Sequence, residues 1–325
     1  MSAGDQGAGV NRAHFLTGPA AAALWLNSLK DAGAQSPAEI AIAGSPNDTA
    51  GLLYYAADMG FYEQAGLHVK LAQMNNSGSI SAALASGALQ FGSFALTLGA
   101  LARDHGLALT LVAPAGLYLS TTPTSGLLVL KGSPVRTAAD LNGKVIATRD
   151  LSNMSYYGAK RWLDTNGGDS KSVRWLEVPD ATALSALQSG RVDAASVSEP
   201  ALEDALRSGA ARSLASVFDA IAKRFLISGY FTTDDFAKAH PDVVRQFASV
   251  MSSTAVWANK NRPRTAQILE KYIQTPVAPG SPRVTYADHL AVADVQPVLD
   301  LLFNYGLLKT PQHAKDLFSP LVPSR

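Results

Sequence analysis

Small polar side chains gather at intervals along this chain: Ser45, Asn47, Asp48 and Thr49, then Ser77 and Ser79, then Ser93. Later come Ser152, Asn153 and Ser155, and finally Ser198 and Glu199. Hydroxyls, amides and carboxylates of this size donate and accept hydrogen bonds without bulk, which suits them to grip a small polar molecule. The same residue types cap helices and shape turns, and at any single position that plainer role has the stronger claim. Bond-making chemistry has less to stand on. Cysteine is absent, which removes thiol nucleophiles, disulfides and thiolate metal sites together. There is no Gly-x-Ser-x-Gly elbow, no Ser-x-x-Lys, no phosphate-cradling Gly-rich Lys loop and no His-Glu-x-x-His. The histidines at 14, 68, 105, 240, 289 and 313 are scattered, without metal-ligand spacing. Glu199 is a possible base, but one carboxylate without a partner group makes no catalytic set. The expectation is a binder, with no catalytic residue, metal or cofactor.

The elements that must position these residues come in two similar runs. "ALASGALQFGSFALT" (83–97) and "ALQSGRVDAASVSEP" (186–200) are variants of one phrase. Ser86 and Ser189, Gly87 and Gly190, Gln90 and Asp193, and Ser93 and Ser196 keep a constant separation. In the first run "EIAIA" (39–43) alternates as a strand, and a helical stretch extends from Ala50 to Gln64 until Gly66 stops it. "LHVKLAQ" is the next strand, Ser77 and Gly78 open a second helix, Gly87 closes it, and "LQFGSF" is a third strand. The second run repeats the order with "GKVIAT", a helix from Met154 to Asn166 stopped by Gly167, "VRWLEV", a short helix capped by Asp180, and "VDAASV". Tyr54-Tyr55 and Tyr156-Tyr157 occupy matching turns. Strands alternating with helices predict right-handed crossovers and a parallel sheet in each of two α/β lobes. In such sheets ligands sit beyond the carboxyl ends of the strands, where the polar clusters fall.

Between and after the lobes, "GLLVLKGSP" (126–134) and "FLISGYFTT" (225–233) read as extended segments crossing from one lobe to the other. Two stretches at helical spacing follow, 242–261 and 290–305, with a proline-rich loop (275–285) between them and Pro297 predicting a kink or break. Trp257, Phe247, Leu301 and Phe303 read as core. The resulting division is 35–125 with 228–325 as lobe I and 126–227 as lobe II.

Composition sets the limits. The 325 residues are 47% hydrophobic and 16% charged, enough for two packed cores. A net charge of +1 supplies no broad field for nucleic acid or anionic lipid. At the N-terminus, Arg12, an apolar stretch from Pro19 to Leu26 and Ala32-Gly33-Ala34 follow the order of a secretory signal. The apolar stretch is far below the ~20 residues that span a bilayer. The expectation is a removable segment 1–34 with cleavage after Ala34, of the general or a weakened twin-arginine type; an amphipathic helix at the terminus is the alternative.

"SGALQFG", "DLNGKVIAT", "ALQSGRVDAASVSEP" and "AHPDVVRQFASV" resemble the solute-binding proteins of ABC importers, in the NMT1-like or SsuA/TauA-like group that takes sulfonates, taurine, nitrate or thiamine precursors. The resemblance covers residues 38–320. It implies the type II periplasmic-binding-protein fold, α/β in class: two similar lobes joined by two crossing strands, with a ligand clamped between them. It also implies a periplasmic location and a membrane permease as partner; the chain itself is expected to be a monomer. The family's ligand loops fall here on Ser45, Asn47, Asp48 and Thr49, on Ser77 and Gly78, and on Ser93 and Phe94. In the second lobe they fall on Ser152, Asn153, Ser155, Tyr156 and Glu199. Two-lobed enzymes share this fold, but the cysteine-rich motif of the hydroxypyrimidine synthases has no counterpart here. A small organic anion, sulfonate or carboxylate, is the expected ligand, its charge resting at the helix start after "LSN". A pyrimidine-like heterocycle is the alternative, because Asp48 and Glu199 can accept its N–H groups. Phe94, Tyr118, Tyr156, Tyr157 and Tyr230 are either stacking platforms for a flat ring or core.

Overall fold

The computed structural model describes residues 39–325 except 75, 152, 275, 278, 279 and 281. The signal-like segment 1–34 and Ser152 therefore lie outside the described residues.

The first run folds as β1 (Ile40–Gly44), a 3-10 turn (Asp48–Ala50), α1 (Gly51–Asp58), α2 (Phe61–Gln64), β2 (Val69–Gln73), α3 (Ser77–Ala85) and β3 (Phe91–Ala95). Then come α4 (Leu96–Asp104), β4 (Leu109–Pro114), β5 (Gly116–Leu119) and β6 (Ser125–Leu130). The second run is β7 (Val145–Thr148), α5 (Met154–Thr165), β8 (Arg174–Glu177), α6 (Asp180–Gln188) and β9 (Ala194–Ser198). It is followed by α7 (Ala201–Arg207), β10 (Ala211–Ala215), β11 (Arg224–Leu226) and β12 (Ser228–Thr233). The rest is α8 (Asp234–Ala239), α9 (Pro241–Lys260), α10 (Arg262–Ile273), β13 (Thr285–Tyr286), α11 (Val292–Asn304) and α12 (Ala314–Leu317).

Two five-stranded sheets result, ordered β2-β1-β3-β12-β4 and β10-β6-β9-β7-β8, with a three-stranded sheet β11-β5-β13 besides. Within each run the three strands are parallel, as the alternating pattern requires. The sheets as wholes are mixed, which corrects the expectation of parallel sheets. β12 runs antiparallel to β3 and β4, and β6 runs antiparallel to β9 and β10. Both strands enter their sheets straight from a crossing segment with no α-helix before them, so the strand–helix alternation that makes each run parallel does not extend to them.

The outward crossing also falls earlier than 126–134. β6 already lies inside the second sheet, and the crossing is made by β5, which pairs antiparallel with β11 of the return. α11 runs through Pro297 as one helix, so the predicted break is absent. Five buried residues, Val295, Val298, Leu299, Leu301 and Leu302, hold that helix to the core whatever the missing N–H costs. Phe247 is fully buried and stacks on Phe91 at 4.0 Å. Phe303, expected in the core, is 38% exposed.

The repeated phrase does one job in both lobes. Gly87 and Gly190 take φ of 76° and 69°, the left-handed turn that ends α3 and α6. The Ser86 and Ser189 hydroxyls donate back to Ala83 O at 3.1 Å and Ala186 O at 3.2 Å. Gln90 Oε1 then accepts from Ala41 N–H at 2.8 Å, and Asp193 Oδ2 from Val145 N–H at 2.9 Å. The main-chain N–H groups of Gln90 and Asp193 return bonds of 2.8 Å to Ala41 O and Val145 O. Each phrase thus ends a helix, turns, and staples the third strand of its run to the first. Gln90→Ala and Asp193→Ala should each lose about 1–2 kcal/mol in urea unfolding, because each orphans a strand N–H. A loss in one variant but not in the other would break the equivalence.

Candidate functional site

In the first sheet the loop after β1 carries four of the expected contact residues. Ser45 Oγ donates to Met74 O at 3.0 Å, joining this loop to the one after β2. Asn47 Oδ1 accepts from Ala50 N–H at 3.1 Å and from Thr49 Oγ1 at 2.8 Å, an N-cap that holds the turn. Asp48 turns inward. Its carboxylate accepts from Arg283 Nε at 3.1 Å and from Arg283 Nη2, from Val284 N–H at 2.8 Å, and from the hydroxyls of Tyr286 at 3.0 Å and Tyr55 at 3.4 Å. Burial pulls the Arg283 guanidinium down, but Asp48 outweighs it and holds the pKa above its usual value. Burial, with the Asp48 charge beside it, pushes Tyr55 up to about 12. The loop therefore presents no unpaired charge of its own.

Beyond it, Asn76 caps α3, accepting from Ser79 N–H at 2.9 Å, which leaves Ser77 half-buried and Gly78 exposed in the first turn. Ser93 is buried in the middle of β3. Phe94 is buried as well, stacked on Phe231 with ring centroids 4.4 Å apart.

In the second sheet the hydroxyls form a cluster. Ser155, buried in the first turn of α5, lies 3.0 Å from Ser125 Oγ and 2.9 Å from Ser198 Oγ, while Ser196 Oγ donates to Ser155 O at 3.0 Å. The Ser155 hydroxyl is thus engaged by β6 and β9, and Ser198, half-buried, is the member nearer solvent. Asn153 caps α5, accepting from Tyr156 N–H at 2.7 Å. Glu199 Oε2 accepts from Glu203 N–H at 3.0 Å, and burial raises its carboxyl above the usual range. Asp180 does not cap α6 as expected; its carboxylate faces Ser198 N–H at 3.4 Å and is likewise raised by burial. Arg149 is exposed and paired with Asp150 at 3.4 Å.

The aromatic set resolves clearly. Phe94, Tyr118, Tyr157 and Tyr230 are core, and only Tyr156 is half-exposed, edge-on to Trp175 with Lys160 Nζ 5.1 Å from its centroid. Sequence reading missed Arg283, Tyr286, Ser125 and Asp180. "SPRVTY" did offer one signal, a basic residue inside a proline-rich loop. Among the described residues no group of three or more His, Cys, Asp or Glu side chains could hold a metal ion. No helix among them is long and apolar enough to cross a membrane.

Twin α/β sheets joined by extended crossing strands, with polar loops at the carboxyl ends of the parallel strands, make this a two-lobed fold of the periplasmic-binding-protein type. The chain belongs to the family described as NMT1/THI5 like, whose model matches residues 47–266. Among solved structures it is similar to the periplasmic aliphatic sulphonate binding protein SsuA from Escherichia coli, at TM-score 0.72 and 20% identity over 87% of this chain and 98% of that one. SsuA from Xanthomonas axonopodis pv. citri, an alkanesulfonate-binding protein bound to MOPS, gives 0.66 and 20% over 89% and 99%. The periplasmic nitrate-binding protein NrtA from Synechocystis PCC 6803 gives 0.68 and 14% over 86% and 84%. At these identities the likeness is one of fold. No curated protein matches the chain.

Arg283→Met leaves the Asp48 carboxylate part-buried without its cation. It should cost about 3 kcal/mol in chemical denaturation, and an unchanged midpoint would remove this pair from the supports of the loop.

Proposed function

We propose that the chain is the extracytoplasmic solute-binding component of an ABC importer. It captures a small organic molecule between lobe I (35–125 with 228–325) and lobe II (126–227) and presents it to a membrane permease as a monomer. The observation that carries this reading is a pair of family-typical lobes whose strand-end loops offer hydroxyls and amides in both halves, with no catalytic set assembled among the described residues. A ligand touching both lobes stabilises the closed arrangement over the open one, so closure follows from differential affinity.

The ligand class turns on charge. A sulfonate or carboxylate would rest on the first-turn N–H groups of α5 beside Asn153 and Tyr156, with its remainder toward Ser45, Asn47 and Ser77. A second reading, a pyrimidine-like heterocycle, draws support from Asp180 and Glu199. Both carboxylates sit near Ser198 at the end of β9, desolvated enough to be raised, and both accept hydrogen bonds. A ligand presenting N–H donors satisfies them; a bare anion does not. Asp48, matched by Arg283, no longer favours either class.

Mass spectrometry of material co-purifying with the protein, then a thermal-shift panel of taurine, alkanesulfonates, nitrate and hydroxymethylpyrimidine, separates these classes. The bound solute should be recovered unchanged, and scattering should show compaction on its addition. A converted product released beyond stoichiometric yield would move the chain to the enzymes.

Export is read from the order of charge, apolar stretch and Ala32-Gly33-Ala34. N-terminal sequencing from the native host should begin at Gln35. A cytoplasmic form beginning at Met1 would overturn the periplasmic assignment.

A further inference from the structure

The loop after β1 rests on the place where the chain crosses between the sheets. Ser228, the first residue of β12, donates its hydroxyl to Thr49 O at 3.0 Å and accepts from Gly116 N–H at 3.2 Å. Gly116 opens β5, and around it Ile227 N–H donates to Gly116 O at 2.8 Å and Ala115 N–H to Ser228 O at 3.0 Å. A Cβ built on Gly116 would stand 3.2 Å from Ser228 Oγ and 3.4 Å from Thr49 Cβ, so loop, outgoing strand and returning strand meet without spare space. The second anchor of the loop ends on the same small sheet. Tyr286, whose hydroxyl reaches Asp48 O at 2.6 Å, belongs to β13, and β13 pairs with β5 through Tyr286 with Gly116 and Thr285 with Leu117. Ala287 N–H adds a bond of 3.1 Å to Ala115 O.

We propose that Ser228 and Asp48 are positioning residues that couple loop 45–50 to the crossing strands, so that the angle between the lobes and the geometry of this loop change together. A rotation between the lobes turns β5 and β11 about residues 115–116 and 227–228. A loop bonded to Ser228 on one side and to β13 on the other follows that rotation. Through this linkage a solute held by the loop regulates closure. The proposal rests on reading 45–50 as a ligand loop, yet the coupling itself is measurable in the ligand-free chain.

The chain has no cysteine, so spin labels can be placed at Lys70→Cys and Ser185→Cys, exposed positions in the first and second runs. Pulsed electron resonance then reads the distance between the lobes, and hydrogen exchange reads the amides of Gly51–Leu53. Ser228→Ala should broaden the distance distribution about twofold and raise exchange of those amides about tenfold. A purely local support would move exchange alone. Either readout moving without the other, or neither moving, overturns the coupling. If Ser228→Ala fails to fold, Gly116→Ala, which wedges a methyl between Ser228 and Thr49, must produce the same joint change. A failed solute screen would remove the ligand reading and leave this result standing.

Discussion

A carboxylate placed just beneath the first strand end cannot remain there alone. Asp48 is part-buried, and a charge in that position must be met by opposite charge and by donors. The partner is Arg283, 235 residues further along the chain. Once that pair forms, Val284 N–H and the Tyr286 hydroxyl complete the carboxylate, β13 is laid against β5, and residues 283–286 are fixed onto the first lobe. Tyr55 and Tyr286 meet edge-on within the same cluster, at 5.9 Å between centroids. The candidate loop, the small sheet at the crossing and the C-terminal helices thus share one electrostatic requirement.

Local order was legible in the sequence to the extent that its cause is local. Gly66, Gly87, Gly167 and Gly190 end their helices because a left-handed residue follows the last turn, and all four have positive φ. The three parallel strands of each run follow from alternating patterns joined by helices. The mixed character of the sheets had no such signature: β6 and β12 read as strands, but nothing in their residues says which neighbours they join or in which direction. The position of the first crossing was hidden for the same reason, since β5 and β6 are both short apolar runs. Pro297 does not end α11, because the buried face of that helix outweighs the local propensity of one residue.

The site was legible as loops and not as contacts. Asn47 and Asn153 are caps, the role their residue type favours at a strand-to-helix turn. Phe94 and Tyr156 have equal claims on sequence, yet the neighbour at β12 takes the first ring into the core while the second stays half-exposed. Asp48 looked available for a ligand until its distant cation was in place. The two lobes end up chemically unlike despite their shared plan. The first offers neutral polar groups around a neutralised acid, and the second offers hydroxyls flanked by carboxylates with raised pKa.

The position of β12 has a consequence for the order in which this protein can be assembled. The second sheet draws all its strands from the continuous stretch 125–215, so it can complete itself as soon as that stretch has left the ribosome. The first sheet is made earlier but stays unfinished, because β12 belongs between β3 and β4 and is synthesised only after every strand of the second sheet. Until residue 233 emerges, β3 and β4 flank an empty slot, and β4 has no neighbour to pair with. The sheet that begins first therefore finishes last, with its final strand delivered from the completed lobe across the crossing strands.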